Sequence, residues 1–302
     1  MATIPSRDHD VPAVPGGEPD QRMLSRRLEV GGPSARALLI TVLGELVLPT
    51  GDWVWTGSLI AVLGLLGVEP SSARQALART AATGWLVSDR AGRRTRWRLS
   101  AAGSTELAEG AQRIYSFGPG RSATGPDRWL LLVASVPEEQ RQLRHQLRTR
   151  LAWAGFGMLA RGAWISPDPD REAEAREVLA ELGLLAQATS FLAQFGSIGE
   201  VRDLVARAWD VADLRQRYEA FSAHFTSLQP TTPTEALAAQ IRLVHEWRRF
   251  PFYDPGLPAE LLAADPTQVW VGVRAGELFT ARHREWAAPA AECWAELSSI
   301  DA

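Results

Sequence analysis

Lysine is absent from this chain of 302 residues, and cysteine occurs once, as Cys293. A lone cysteine excludes an intramolecular disulfide and any zinc site built on several thiolates. It fits a reducing, cytoplasmic compartment. No apolar run is long enough to cross a bilayer; the longest, Ser58–Val68, falls well short of the ~20 residues required. The N-terminus has no signal-type apolar stretch, residues 1–21 being rich in proline, glycine and aspartate. The sequence also lacks a G-x-S-x-G elbow, an H-E-x-x-H pair, a phosphate-binding P-loop and a dinucleotide fingerprint. Its five histidines are scattered, so neither a metal nor a cofactor is expected. These absences leave a soluble protein without a recognisable catalytic motif.

With lysine missing, all positive charge is arginine. Abundant arginine beside abundant alanine is what a GC-rich genome produces, so only the distribution of arginines is informative. Residues 22–115 hold twelve arginines against seven acids, a net of +5, while the other segments are all net negative (1–21 by −3, 116–200 by −1, 201–302 by −4). Positive charge gathered on one module is what a polyanion-binding unit needs. It peaks in S-D-R-A-G-R-R-T-R-W-R-L-S, Ser88–Ser100, with five arginines in thirteen residues.

The periodicity around that stretch predicts three helices and a hairpin. Ser34 is an N-cap for a helix with Leu38, Leu39, Val42 and Leu46 on one face, ended by Pro49. A second helix runs from about Trp55 to Leu66, closed by Gly67. A third starts at Pro70-Ser71-Ser72, capped by the hydroxyls, and stops at Gly84. W-L-V-S and T-R-W-R-L then alternate as strands around A-G-R-R. This is the order of a winged helix-turn-helix. On the third helix Ala73, Ala76, Leu77 and Thr80 form a packing face. Arg74, Gln75, Ala78, Arg79 and Ala82 form another, whose small residues would admit the helix deep into a major groove. Ser72, Arg74, Gln75 and Arg79 are therefore candidates for DNA contact from the helix, and Arg93, Arg94 and Arg96 from the wing. Trp97 and Leu99 would face the core.

A helix over Ala101–Tyr115 and a glycine- and proline-rich linker separate this unit from the next. There R-W-L-L-L-V-A-S-V reads as a buried strand. A helix with Leu143, Leu147 and Leu151 on one face follows, then a strand over Gly157–Ser166. A helix from Arg171, with a Glu172/Arg176 pair, and a strand from Ala188 complete it. Strand–helix–strand–helix–strand suggests a ferredoxin-like domain. Leu204, Ala208, Val211, Leu214, Tyr218, Phe221 and Phe225 continue at helical spacing; a helix capped by Thr234 covers Thr234–Phe250, and a last one lies around Arg274–Leu297. The class is α+β, with boundaries expected as a disordered tail (1–32), a winged helix-turn-helix (33–100), a connecting helix and linker (101–127), a ferredoxin-like domain (128–198) and a helical C-terminal domain (199–302).

W-V-W-T-G-S-L-I (Trp53–Ile60), R-Q-A-L-A-R-T-A-A-T-G-W-L (Arg74–Leu86), G-R-R-T-R-W-R-L-S (Gly92–Ser100), R-W-L-L-L-V-A-S-V-P-E (Arg128–Glu138) and V-H-E-W-R-R-F-P-F-Y-D-P-G-L-P-A-E-L-L (Val244–Leu262) occur in that order. Together they resemble the PaaX-type regulators of phenylacetate degradation, a family of phenylacetyl-CoA-responsive repressors. The resemblance implies a homodimer that holds double-stranded operator DNA and releases it when an aryl-CoA thioester binds. After Leu262 the family tends to carry a W-P-G-like turn, where this chain has A-A-D-P-T-Q-V-W-V-G-V-R; that departure touches the ligand rather than the fold. The central region is also similar to the small ferredoxin-like nucleases of CRISPR adaptation. Those place a metal-binding aspartate at the end of the first strand, where this chain has Val133-Ala134-Ser135-Val136 and no carboxylate before Glu138.

For the effector, the arginine stripe Arg141, Arg144 and Arg148 reads either as a solvated face or as a landing site for CoA phosphates or flanking DNA. Candidate effector residues are Arg144, Arg161, Trp164, His245, Trp247, Arg248, Arg249 and Tyr253. The competing reading makes His245–Asp254 a structural junction in which Asp254 caps a turn or pairs with an arginine. A different class of function, a nucleic-acid-processing or acyl-CoA-handling enzyme that carries a winged helix for positioning, is the alternative to a repressor.

Overall fold

The computed structural model describes residues 34–118, 128–262 and 268–299. The expected tail, most of the linker and part of the segment after Leu262 lie outside the described residues.

Helix α1 (Ala35–Val42) begins where Ser34 Oγ accepts from the Ala37 N–H at 3.1 Å. It widens into a π-helical turn over Leu43–Val47 before the chain reaches Pro49. Strand β1 (Val54–Trp55) and helix α2 (Thr56–Leu65) follow, and Gly67 turns the chain at φ 83°. Helix α3 (Pro70–Ala82) has Glu69 at its N-cap with no side-chain cap bond. Proline at the first position therefore puts Ser71 and Ser72 inside the first turn, and they do not cap as expected. Strands β2 (Leu86–Ala91) and β3 (Arg94–Leu99) pair antiparallel through a two-residue turn, with Ala91 opposite Arg94 and Gly92 at φ 64°. Unforeseen, β1 pairs with β3 and makes the hairpin a three-stranded sheet. A two-residue strand is too short to show a period.

Ser100 caps helix α4 (Ala101–Ser116). Near its start Gly103 lies so close that a Cβ there would sit 2.3 Å from the Trp85 carbonyl oxygen, which ties α4 to the hairpin.

The second sheet holds β4 (Trp129–Ala134), β5 (Gly157–Ala160), β6 (Ala163–Ser166) and β7 (Ala188–Ala193), all antiparallel in the order β5-β6-β4-β7. The single strand expected over Gly157–Ser166 is two strands, because Arg161-Gly162 turns the chain with Gly162 at φ 81°. Helices α5 (Arg141–Trp153) and α6 (Glu172–Glu181) cover one face, packing Leu147, Leu151, Val178 and Leu179 on Leu130, Leu132 and Trp164. Glu172 accepts a hydrogen bond from Ser190 Oγ instead of pairing with Arg176, since Ser190 on β7 is within its reach. Arg150 of α5 pairs with Glu181 of α6 at 2.5 Å.

The C-terminal region is helical: α7 (Val201–Ala208), α8 (Val211–Ser227), α9 (Pro233–Trp247), the short α10 (Phe250–Tyr253) and α11 (Ala259–Leu262), and the long α12 (Val271–Ser299). Thr232, not Thr234, caps α9. Its hydroxyl accepts from the Glu235 N–H at 3.2 Å and the Glu235 carboxylate reaches back, a full capping box that fixes Pro233 at the first position.

The chain thus combines N-terminal helices and strands, a central α+β sheet layer and a helical C-terminal region. Its cores cross those limits. Leu237 and Ile241 of α9 and Ala290 and Cys293 of α12 belong to the same buried cluster as α1, α2 and α3. Trp129 and Ile165 of the central sheet join the cluster formed by α8, α9 and α12. Burial of this kind, at ~25 cal/mol per Å² of apolar surface, holds the three regions together rather than leaving them strung on linkers.

Candidate nucleic-acid interface and effector clefts

Helix α3 turns Ala73, Ala76, Leu77 and Thr80 into the core and leaves Arg74, Gln75, Ala78, Arg79 and Ala82 exposed. Ser72 is half-buried in the first turn. Arg79 lies along its own helix, its Nε donating to the Gln75 carbonyl at 3.3 Å. Arg36 reaches the end of the same helix, donating to Thr83 Oγ1 at 3.2 Å. Burial and then the neighbouring Arg79 hold its pKa below the ordinary guanidinium range. The positive potential around α3 therefore includes an arginine from α1 that the sequence did not single out.

The hairpin divides its arginines into two sets. Arg93 and Arg94 are exposed at the tip. Arg96, grouped with them as a candidate for DNA contact, is held across the hairpin by Asp89, with Nε 2.8 Å and Nη2 2.6 Å from Oδ2. Arg96 and Arg98 also lie over the Trp53 ring at 4.9 and 4.8 Å. Trp97 and Leu99 face inward as expected, Leu99 buried and the Trp97 Nε1–H donating to Thr56 Oγ1 at 2.8 Å. Thr56 Oγ1 donates in turn to the Thr95 carbonyl at 2.9 Å, pinning β3 to the start of α2.

The eight candidate effector residues fall into two places. Arg144, Arg161 and Trp164 line one cleft of 480 Å³, between α5 and the β5–β6 hairpin. His245, Trp247, Arg248, Arg249 and Tyr253 lie elsewhere, at the end of α9 and in α10, where packing dominates. Trp247 is buried against Phe221, Phe250 and Phe279, stacked on the last at 4.8 Å. His245 Nδ1 and Thr41 Oγ1 are 3.0 Å apart, a buried contact between α9 and α1. Burial, then Arg248 and Arg249, push the His245 pKa down to about 3, so its ring is neutral. Arg248 is 2% exposed, and Arg249 Nη2 donates to Tyr253 Oη at 2.8 Å. Asp254 is fully buried, accepting from Tyr218 Oη at 2.7 Å and from the Gly256 N–H at 2.8 Å. The bond from Gly256 is the turn-capping role expected of Asp254, and burial raises its pKa. The His245–Asp254 stretch has the geometry of a junction.

Beside it, a polar cluster joins the N- and C-terminal regions. Tyr115 of α4 donates to Glu45, His283 Nε2 of α12 lies 3.0 Å from Glu45 Oε2, and Gln240 of α9 donates to the same oxygen at 3.4 Å. Tyr115, Phe117, Trp247, Phe279, His283 and Arg284 line a cavity of 350 Å³ there. Sequence reasoning missed this cluster, because its members come from four helices and no local pattern links them. Among the described residues no group of three or more His, Cys, Asp or Glu is placed to hold a metal ion, and no helix is long and apolar enough to cross a membrane.

Three models of one family match this chain in succession: "PaaX-like protein" over residues 34–103, "PaaX protein central Cas2-like domain" over 123–205 and "PaaX-like protein C-terminal domain" over 209–296. The chain belongs to the PaaX family. Its PaaX relatives include the "Transcriptional repressor PaaX" of Escherichia coli (strain K12), 30% identical over 256 residues, which span 81% of this chain and 78% of that protein. A solved structure, that of the uncharacterized protein Rv0674 from Mycobacterium tuberculosis, has the same fold. It aligns with a TM-score of 0.54 at 23% identity, over 85% of this chain and 98% of that one. The PaaX family is one of transcriptional regulators, not of enzymes.

Proposed function

We propose that this PaaX-family chain is an effector-responsive transcriptional repressor that grips double-stranded operator DNA with α3 and the β2–β3 hairpin. The observation that carries this is the outward face of α3. There Arg74, Gln75 and Arg79 alternate with the small Ala78 and Ala82, beside a hairpin tip bearing Arg93 and Arg94, on the only net-positive segment. Three helices followed by a hairpin support the reading of residues 33–100 as a winged helix-turn-helix. Arg74, Gln75 and Arg79 would read base edges, with Ser72 beside them, and Arg93 and Arg94 would contact phosphates. Arg96 acts mainly by holding the wing in shape.

The βαββαβ order of residues 128–198 supports a ferredoxin-like domain, reached through the connecting segment 101–127, with 199–302 as the helical C-terminal part. Homodimerisation is in keeping with the sheet face opposite α5 and α6, where Val133 is 42% and Phe191 52% exposed. The effector is a CoA thioester with an aryl acyl group, bound more tightly by the DNA-free arrangement than by the DNA-bound one. The compartment is the cytoplasm.

The test is titration of the DNA upstream of this chain's own reading frame and its neighbours, with a random duplex as control. One upstream duplex should bind at least about a thousandfold tighter than random DNA, as specific sites do. The Arg93→Ala/Arg94→Ala variant should weaken both duplexes alike and lower the salt slope by about 1–2. Unchanged affinity and slope would reject the wing assignment.

A further inference from the structure

Arg94, Arg96 and Arg98 take alternate positions on β3, so they share the sheet face turned away from Trp97 and Leu99, roughly 7 Å from one to the next. Cross-strand partners share a face, which places Ala91, Asp89 and Val87 of β2 and Trp55 of β1 beside them. Half-buried Trp53, one residue before β1, joins this face. Its ring centre lies 4.9 Å from the Arg96 guanidinium and 4.8 Å from that of Arg98.

The two guanidiniums are not equivalent. Arg96 donates through Nε and Nη2 to Asp89, so its N–H edge and its charge are both engaged. Arg98 is exposed and has no carboxylate partner among the described residues. A guanidinium held over an aromatic ring offers the ring its face and keeps the N–H groups of its edge for an oxyanion. One ring thus gathers two cations that have the single carboxylate of Asp89 between them, and the charge of Arg98 stays fixed in place and open to an anion. The segment that carries Trp53 is itself fastened to the hairpin. β1 pairs with β3, and Thr56 donates to the Thr95 carbonyl while accepting from the Trp97 Nε1–H. The ring is therefore set against the arginines before any DNA arrives, which limits the rotamer freedom Arg98 would lose on contact.

We propose that Arg98 is a phosphate contact of the wing and Trp53 its positioning residue, so that the grip on the duplex runs from the hairpin tip along the outer face of β3. This rests on the reading of the β2–β3 hairpin as a DNA-gripping wing. The partner is backbone phosphate, because a guanidinium edge matches its oxygens and such contacts hold the duplex without reading its sequence.

The test is titration of the full chain with a random-sequence duplex over a range of salt concentrations, with melting temperatures taken on the same samples. Arg98→Ala should weaken binding about three- to tenfold and lower the salt slope by about 1, with the melting temperature nearly unchanged. Trp53→Leu should weaken binding about two- to fivefold, and Trp53→Phe, which restores a ring, should recover most of that loss. In an Arg98→Ala background Trp53→Leu should cost nothing further, whereas a merely structural tryptophan would add its loss in full. Arg207→Ala, which removes the same charge from an exposed position on α7, should stay within about twofold. Arg98→Ala losing no more than Arg207→Ala, or additive losses from Trp53→Leu and Arg98→Ala, overturns the proposal. The Arg93→Ala/Arg94→Ala variant separates the two readings. If it weakens binding and Arg98→Ala does not, this inference alone falls; if neither does, the wing reading falls with it.

Discussion

Arginine does opposite work in two regions of this molecule. On α3 and the hairpin tip, Arg74, Arg79 and Arg93 are exposed, on a surface where further negative charge would be welcome. At the end of α9, Arg248 is 2% exposed, and Arg249 is engaged by Tyr253 beside the neutral His245. Both regions contain R-R in sequence, at the hairpin tip and at the end of α9. They differ in what surrounds them. The first is a helix with one apolar face, the second a helix buried by three neighbours. A guanidinium in water costs little to leave unpaired and is free for phosphate, whereas a buried one is structural because its desolvation must be met within the fold.

The sharpest way to break that comparison is in the junction. Asp254→Ala leaves Tyr218 Oη and the Gly256 N–H without their acceptor. The variant should lose about 2–4 kcal/mol in denaturant unfolding, with operator affinity per folded molecule unchanged. Next comes the DNA face. Arg74→Ala and Gln75→Ala should each cost about 1–3 kcal/mol of discrimination between operator and mismatched sites in competition binding, and leave the melting temperature nearly where it was.

Third is pH. His245 is neutral in the fold, with its pKa held at about 3, while in the unfolded chain it titrates near the usual ~6.5. Above ~6.5 both states are neutral and the contribution is fully present. As pH falls from ~6.5 toward about 3 the unfolded chain takes up a proton that the folded one refuses, and stability drops by roughly 1 kcal/mol per pH unit. Thr41 Oγ1, Arg248 and Arg249 are the groups facing the ring. A His245→Asn variant should show a flatter fall of melting temperature over the same range.

The smallest effect separates arginines within one hairpin. Arg96→Ala should change DNA affinity by less than about 0.5 kcal/mol, because it is paired with Asp89, whereas the tip double variant should reduce binding and salt slope together.

Much of the site was legible in the chain. The spacing of Ala73, Ala76, Leu77 and Thr80 set which side of α3 is buried and so which residues stay exposed. Gly92 set the turn that carries Arg93 and Arg94 outward. Where local signals competed, nearest neighbours decided. Pro70 and Pro233 claimed the first helical positions and moved the caps to Glu69 and Thr232, and Gly162 folded one apparent strand into two. Alternation along a strand cannot register a partner, which is why the sequence did not reveal that Arg96 is held by Asp89.

The sequence by itself determined the class of each element, the polarity of each helix and the concentration of positive charge on one module, because these depend on periods of two and 3.6 residues and on turn chemistry. Only the tertiary structure decided which arginines stay available. It brought Arg161 across from a hairpin to face Arg144 and Arg148, and it buried Arg248 behind α4 and α1. It also joined Glu45, Tyr115, Gln240 and His283 from four helices. Such contacts depend on how faces meet in space, and a linear pattern carries no record of which face meets which.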